Sequence, residues 1–249
     1  MYPKKKRLHI LYICAALLTT TMAAHAQTEV PQNRPYTDLR PLHFGIVVGT
    51  NLQDTEFRNV GPTTLPNGEP SEIYCDQNSW DIGFNVGVLM EARLNQHFAF
   101  RLAPQMYFAT RNFAFYNKLH PEENKELKQQ SLRTVYVGAN CDLIFAAQRF
   151  NNHRPYIMLG VAPMINLTSS ANDYIQLKKG EIFLEAGLGC DFYLPYFKLR
   201  PELKFMYGLT NSFNSSHQKS IKEDNPMLPY AYSVDQARSK MVVLSFYFE

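Results

Sequence analysis

After its first 26 residues the chain lacks any run of about 18 apolar side chains, so no helix of that part is long and greasy enough to cross a bilayer. It is also short of positive charge. Four of its 25 basic residues sit within the first seven positions, and the rest of the chain carries one more acidic than basic residue. Nucleic acid therefore has no electrostatic hold on it. Cysteines are few: Cys14, Cys75, Cys141 and Cys190, with none of the short paired intervals of a zinc site. Cys141 and Cys190 fall on the same side of two segments that are not neighbours in a meander, which argues against a disulfide. They read as small apolar side chains.

Catalytic constellations are equally sparse. His120 and His217 lie in polar stretches beside Glu122, Glu123, Ser215 and Ser216. A Ser, His and acid arrangement could be drawn there, but no spacing fixes their mutual geometry. They read as solvated loop residues, and no catalytic residue, metal or cofactor is expected.

What is present begins with a leader. Lys4, Lys5, Lys6 and Arg7 precede an apolar stretch from Ile10 to Leu18, and Ala24, His25, Ala26 provide a small-x-small cleavage site. Residues 1–26 read as a secretory signal peptide, and Cys14 lies too early in it to carry a lipid. Residues 27–41 follow as a short periplasmic segment, and 42–249 as one β domain.

Alternation dominates that domain. In "GCDFYLPYFKLRPELKFMYGL" (189–209) two segments meet at a tight Leu194, Pro195, Tyr196 corner. Phe197, Leu199, Leu203, Phe205 and Tyr207 share one parity, and Lys198, Arg200, Glu202 and Lys204 the other. Strand side chains alternate faces, so this is a strand with one greasy and one charged face. The same period appears near 42–53, 82–94, 97–110, 132–147, 154–167, 181–194, 197–209 and 240–248, giving eight strands. Pro104, Pro163 and Pro201 interrupt the third, fifth and seventh, where β-bulges are expected. Residues 95–96, 148–153 and 195–196 make short turns, whereas 54–81, 111–131, 168–180 and 210–239 are long and polar. Short turns on one rim and long loops on the other is the plan of an antiparallel up-and-down transmembrane β-barrel of the outer-membrane type.

The charges assign the faces. Glu91, Arg93, Arg101, Asp142, Glu185, Asp191, Lys198, Arg200, Glu202 and Lys204 all carry the parity opposite to the apolar set. A basic residue on a lipid face at midplane costs roughly 2–4 kcal/mol, so the greasy parity faces lipid and the charged one faces the lumen. Five acids and five bases could pair there completely. Eight strands make a barrel just wide enough to be filled by its own side chains, which predicts a structural charge network in a plugged interior. A lipocalin-like carrier would need the reverse polarity.

Four segments carry a family likeness: "LHFGIVVGTN" (42–51), "GFNVGVLMEARLNQHFAFRLAPQMYFATRNF" (83–113), "RPYIMLGVAP" (154–163) and "EAGLGCDFYLPYFKLRPELKFMYGL" (185–209). Together they resemble the PorT/SprT proteins of Bacteroidetes, eight-stranded outer-membrane barrels of the type IX secretion system that are also linked to gliding motility. The resemblance implies export of cargo proteins to the cell surface and other type IX proteins as partners, with no catalytic residues. Both termini would then lie in the periplasm. A generic OmpA-like barrel that anchors or adheres would share every physical feature, and only these segments argue against it.

Overall fold

The computed structural model describes residues 31–117, 128–168, 174–222 and 225–249. The leader, together with His120, Glu122 and Glu123, lies outside the described residues. Asn33–Glu249 form one compact unit.

A 3-10 turn at Thr37–Leu39 precedes eleven strands: β1 (Leu42–Asn59), β2 (Thr63–Thr64), β3 (Pro70–Ser71), β4 (Ile73–Trp80), β5 (Ile82–Arg93), β6 (Phe98–Asn117), β7 (Gln129–Ala146), β8 (His153–Asn166), β9 (Gly180–Tyr193), β10 (Lys198–Gly208) and β11 (Val234–Phe248). Two short helices, α1 (Ser215–Ser220) and α2 (Leu228–Ala231), lie between β10 and β11. The pair β2 and β3 forms its own small ribbon. Strand β4 continues β5 across Asp81, and both pair antiparallel with β6.

The other strands close a ring. β5, β6, β7, β8, β9, β10 and β11 pair antiparallel in succession, and β11 returns to β1, which pairs with β5. The fold is an all-β, eight-stranded up-and-down barrel with no open edge in the ring. Closure matters in hydrocarbon, where each unpaired backbone N–H or C=O costs several kcal/mol.

Side-chain direction follows the alternation. Phe44, Ile46, Val88, Ile157, Leu159, Leu188, Leu203 and Phe205 stand exposed on the outside, while Asn85, Glu91, Arg101, Asn140 and Glu202 are buried inside. Strand β6 reads as a ruler through the interior. From the short-turn end it turns inward Ala99, then Arg101, Ala103, Gln105, Tyr107, Arg111, Phe113 and Phe115 in that order. Ala99 touches an apolar layer of Ile144, Ala146, Tyr156 and Met158. Tyr107 belongs to a middle layer with Tyr136, Met164, Phe183, Met206 and Met241. Phe113 and Phe115 join Ile73, Cys75, Leu132, Ile175, Leu177 and Phe213 in an apolar cap at the long-loop end.

Two expectations need correction. The long outer stretches are not all loop: β1 runs on to Asn59, β4 occupies Ile73–Trp80, β6 reaches Asn117, β7 starts at Gln129 and β11 at Val234. At ~3.3 Å per residue, the 20 residues of β6 span ~65 Å. Tilted by ~40°, that projects to ~50 Å, about twice the ~25 Å apolar band of an outer-membrane barrel. Beyond the belt the polarity inverts. Asp54, Glu56, Arg58, Asp76, Arg133, Arg238 and Lys240 stand on the outside, and Phe113, Phe115, Cys75 and Leu132 point inward. The inversion falls on adjoining rungs, where Leu52↔Val242 is followed by Asp54↔Lys240, and Phe108↔Val135 by Thr110↔Arg133.

The prolines make no bulges. On each side of Pro104, Pro163 and Pro201 the register with the preceding strand is unchanged, and only the rungs beside the proline are missing. Proline lacks the N–H donor, so a rung is lost without an extra residue. A glycine of the hairpin partner lies diagonally beside each proline, one rung on: Gly87 pairs with Gln105, Gly138 with Met164 and Gly189 with Glu202, next to the carbonyls of Pro104, Pro163 and Pro201. A Cβ on any of these glycines would collide with the proline carbonyl. The three short-turn hairpins thus repeat one close backbone approach. Register shifts occur elsewhere, at Arg58/Asn59 and Gln77/Ser79.

Overpacking of this kind costs about 1–3 kcal/mol. Gly138→Val is expected to lower the unfolding temperature of the purified barrel clearly, whereas Gly180→Ala, where an added Cβ meets nothing within 4 Å, leaves it unchanged. Differential scanning fluorimetry in detergent checks the pair.

Candidate functional site

The polar interior is built by the inward-facing residues of the ring strands. Nine of the ten charges singled out in the sequence are buried there: Glu91, Arg101, Asp142, Glu185, Asp191, Lys198, Arg200, Glu202 and Lys204. Arg93 is the exception. As the last residue of β5 it sits half-exposed at the short-turn rim, with Nε donating to the Asn95 carbonyl at 3.2 Å.

Arg200 is the hub of the lower half. Its guanidinium pairs with both oxygens of Glu91, with Nη2 to Oε1 at 3.0 Å, and with both oxygens of Asp191. Its Nη1 also meets Glu249 Oε1 at 2.7 Å. Glu249 in turn pairs with Lys198 and lies 3.5 Å from His43 Nδ1. Arg101 forms the second node. Its Nη1 donates to Glu202 Oε2 at 2.7 Å, and its guanidinium lies 4.4 Å from the centre of the Tyr247 ring. Glu202 is completed by two phenols, Tyr156 OH at 2.8 Å and Tyr247 OH at 3.0 Å. Lys204 reaches Glu185 at 3.3 Å, and Asn140 Nδ2 donates to the same Glu185 oxygen at 2.7 Å. Asp142 is the least satisfied: among the described residues no protein group donates to either oxygen, and Arg101 Nη1 stands 4.0 Å away.

A separate polar knot lies higher in the barrel, around Arg111. Its guanidinium donates to Gln53 Oε1 at 3.0 and 3.1 Å, to Thr55 Oγ1 at 3.0 Å, to Ser239 Oγ at 3.1 Å and to Tyr136 OH at 3.3 Å. Tyr136 OH donates onward to Glu181 Oε1 at 2.7 Å, whose other oxygen accepts from Ser212 Oγ at 2.9 Å. The cation and its counter-anion are thus linked through a phenol. The Met, Tyr and Phe layer that includes Tyr107 and Tyr136 lies between the two polar centres along β6.

Three further lumen charges, Arg111, Glu181 and Glu249, share the inward parity without being among the ten singled out in the sequence. Arg111 falls in a stretch that reads as loop, Glu181 is the second residue of β9, and Glu249 continues the inward parity of Ser245 and Tyr247 one step past β11. With them the balance leans acidic: among the described residues seven buried carboxylates (Glu91, Asp142, Glu181, Glu185, Asp191, Glu202, Glu249) face five buried cations (Arg101, Arg111, Lys198, Arg200, Lys204). The tyrosines that bridge them are legible as inward residues, yet carry no charge to draw attention.

Other candidates fall away from the lumen. Ser215 and Ser216 open α1, where Asn214 Oδ1 accepts from the Ser216 N–H at 3.2 Å, and His217 follows in the same helix. Cys75, Cys141 and Cys190 are free thiols. Cys141 and Cys190 sit half-buried on the lipid-facing parity, while burial in the outer apolar cap pushes the Cys75 thiol up, which leaves it unreactive.

A closed ring with apolar outside, ionic inside and a polar-skinned extension at one end defines an integral outer-membrane β-barrel. The family model described as outer membrane protein beta-barrel domain matches residues 26–214, and the chain belongs to that family. Among solved structures it is similar to the outer membrane protein OprG from Pseudomonas aeruginosa (14% identity, 82% of this chain and 93% of that chain, TM-score 0.46). It is also similar to Neisserial surface protein A (12% identity, 84% and 98%, TM-score 0.41). A third similar structure is that of Ail, the attachment invasion locus protein of Yersinia pestis, in complex with a heparin analogue (13% identity, 82% and 96%, TM-score 0.36). No curated protein matches the chain.

Removing one member of a buried ion pair typically costs about 3–5 kcal/mol, because the partner charge is stranded. Arg200→Ala strands Glu91 and Asp191 together and is expected to lower the unfolding temperature in detergent strongly. Leu203→Ala, on the lipid face, is expected to change it far less. Thermal unfolding followed by circular dichroism makes the comparison.

Proposed function

We propose that this chain is a non-catalytic, non-conducting outer-membrane barrel that works as a component or assembly partner of the type IX protein secretion system. The observation that carries the first half is the filled lumen. Ion pairs, tyrosines and apolar layers occupy it from Ala99 to Phe115 along β6, so no cargo protein can thread through it. A barrel closed in this way acts through the surfaces at its two ends. The second half rests on the four PorT/SprT-like segments, above all 185–209, which supplies Glu185, Asp191, Lys198, Arg200, Glu202 and Lys204 to the lumen.

In this reading the short-turn rim and both termini face the periplasm, and the long strand extensions with α1 and α2 project from the cell. A generic anchoring or adhesive barrel is the second reading. The polar-skinned extension favours it, since a surface that tall is well placed to meet partners outside the cell.

Deletion in the native host separates the two. Loss of type IX cargo from the cell surface, with other outer-membrane barrels at normal level, is the expected result; undiminished cargo would leave only the generic barrel. Orientation is read in the same cells with an impermeant maleimide, which is expected to label Gly68→Cys and spare Gln96→Cys.

A further inference from the structure

At the short-turn end the barrel mouth carries a cavity of about 530 Å³, lined by Asp38, Leu39, Arg93, Gln96, Arg149 and Arg154 together with Gln148. We propose that this cavity docks an acidic peptide segment of a periplasmic partner protein. The identity of the compartment rests on the orientation given above; the binding itself does not.

The walls are pre-formed. Residues 33–40 cross the rim as a strap, tied down by Asn33 N–H to Asn152 Oδ1 at 2.9 Å, Asn33 Nδ2 to the Tyr193 carbonyl at 3.0 Å and Arg34 Nη1 to the Glu249 carbonyl at 3.0 Å. Arg149 stacks on the Tyr193 ring at 3.6 Å and donates to Asn152 Oδ1 at 2.9 Å, which locks the turn after β7 to the same strap. Preorganised donors lose little freedom on binding, which favours recognition at this mouth.

Its charge is one-sided. Three guanidiniums surround a single carboxylate, and that carboxylate is only loosely engaged by them. Asp38 accepts its short bond from Tyr193 OH at 2.7 Å and stays 3.7 Å from Arg154 and 4.0 Å from Arg149. Arg154 spends Nε and Nη2 on the carbonyls of Ala147 and Gln96, and its Nη1 makes only the 3.7 Å contact with Asp38. Arg93 uses only Nε, on the Asn95 carbonyl, so among the described residues both of its terminal nitrogens stay uncommitted. Arginine forks of this kind take carboxylates in paired hydrogen bonds.

A peptide fits the position better than a lipid headgroup. Arg93 and Arg154 share the inward parity of Glu91 and Tyr156, so the cavity opens over the barrel mouth and not on the flank where lipids lie. Leu39, 62% exposed, offers an apolar contact beside the charges.

The test uses the folded barrel in neutral detergent with fluorescein-labelled hexaglutamate, read by fluorescence anisotropy. Saturable binding is expected that weakens with added salt, is absent for hexalysine, and falls roughly tenfold in Arg93→Gln. Arg93 is chosen because it ties neither the strap nor the lumen, and heat-modifiable mobility on a gel confirms that the variant is folded. Absence of hexaglutamate binding, or equal binding to wild type and Arg93→Gln, overturns the proposal. Displacement of the peptide by dioctanoyl-phosphatidylglycerol but not by dioctanoyl-phosphatidylcholine, each added to the same detergent solution, assigns the cavity to lipid phosphates and overturns it as well. Binding in detergent does not depend on how the barrel sits in a membrane, so failure of the orientation experiment and failure of the binding experiment are distinguishable.

Discussion

Lipid on the outside of a narrow closed sheet is the constraint from which the rest of this structure follows. The outward parity must be apolar over the height of the hydrocarbon, so every polar or charged residue in the strands has to turn inward. An eight-stranded interior has room for side chains and little else. Charges gathered there must satisfy one another, and they do so around two arginines on neighbouring levels: Arg200, which gathers Glu91, Asp191 and Glu249, and Arg101, which holds Glu202 between two tyrosines. Buried ion pairs add little net stability over an apolar core of the same shape. Here they plug and fix the barrel, since pairs within one hairpin, Arg200 with Asp191, are joined to pairs between strands far apart in sequence, Arg200 with Glu91 and Arg101 with Glu202.

Where the lipid ends, the constraint reverses. Above the rungs Leu52↔Val242 and Phe108↔Val135 the barrel continues into water, so the outside becomes charged and the inside becomes an apolar core of Ile73, Cys75, Phe113, Phe115, Leu132 and Phe213. One continuous sheet therefore contains a membrane barrel and, stacked on it, a segment built like a soluble one. The Arg111 knot lies close to the transition, on the rung next to Thr110↔Arg133. There the inward face changes from ionic to apolar, and Tyr136 bridges the buried cation to Glu181.

This reversal also explains how much of the fold was legible in the sequence. Within the hydrocarbon the rule that apolar residues face out holds for all eight strands, and it places Glu91, Arg101, Asp142, Glu185, Asp191, Lys198, Arg200, Glu202 and Lys204 inside. Applied above the boundary, the same rule reads Asp54, Glu56 and Arg58 as the end of a strand, because polarity has changed sides while the backbone has not. Arg111 is lost in a stretch that reads as loop at that end, and Glu249 at the opposite end, one residue past β11. The prolines mislead for a different reason: Pro104, Pro163 and Pro201 remove a donor, yet the strands hold the same register on both sides of the missing rungs without an extra residue. Partner choice within the network is beyond the pattern, because cross-barrel pairs such as Arg200 with Glu91 depend on the closure and not on adjacency along the chain.

The central claim is that the lumen is closed. Its most direct test is single-channel recording of the purified barrel in a planar lipid bilayer under concentrated potassium chloride at neutral pH. Insertion without conductance steps is the expected result, because the Arg200 and Arg101 networks and the three apolar layers fill the lumen. Steady, repeatable open-channel currents from the folded wild-type protein would contradict it.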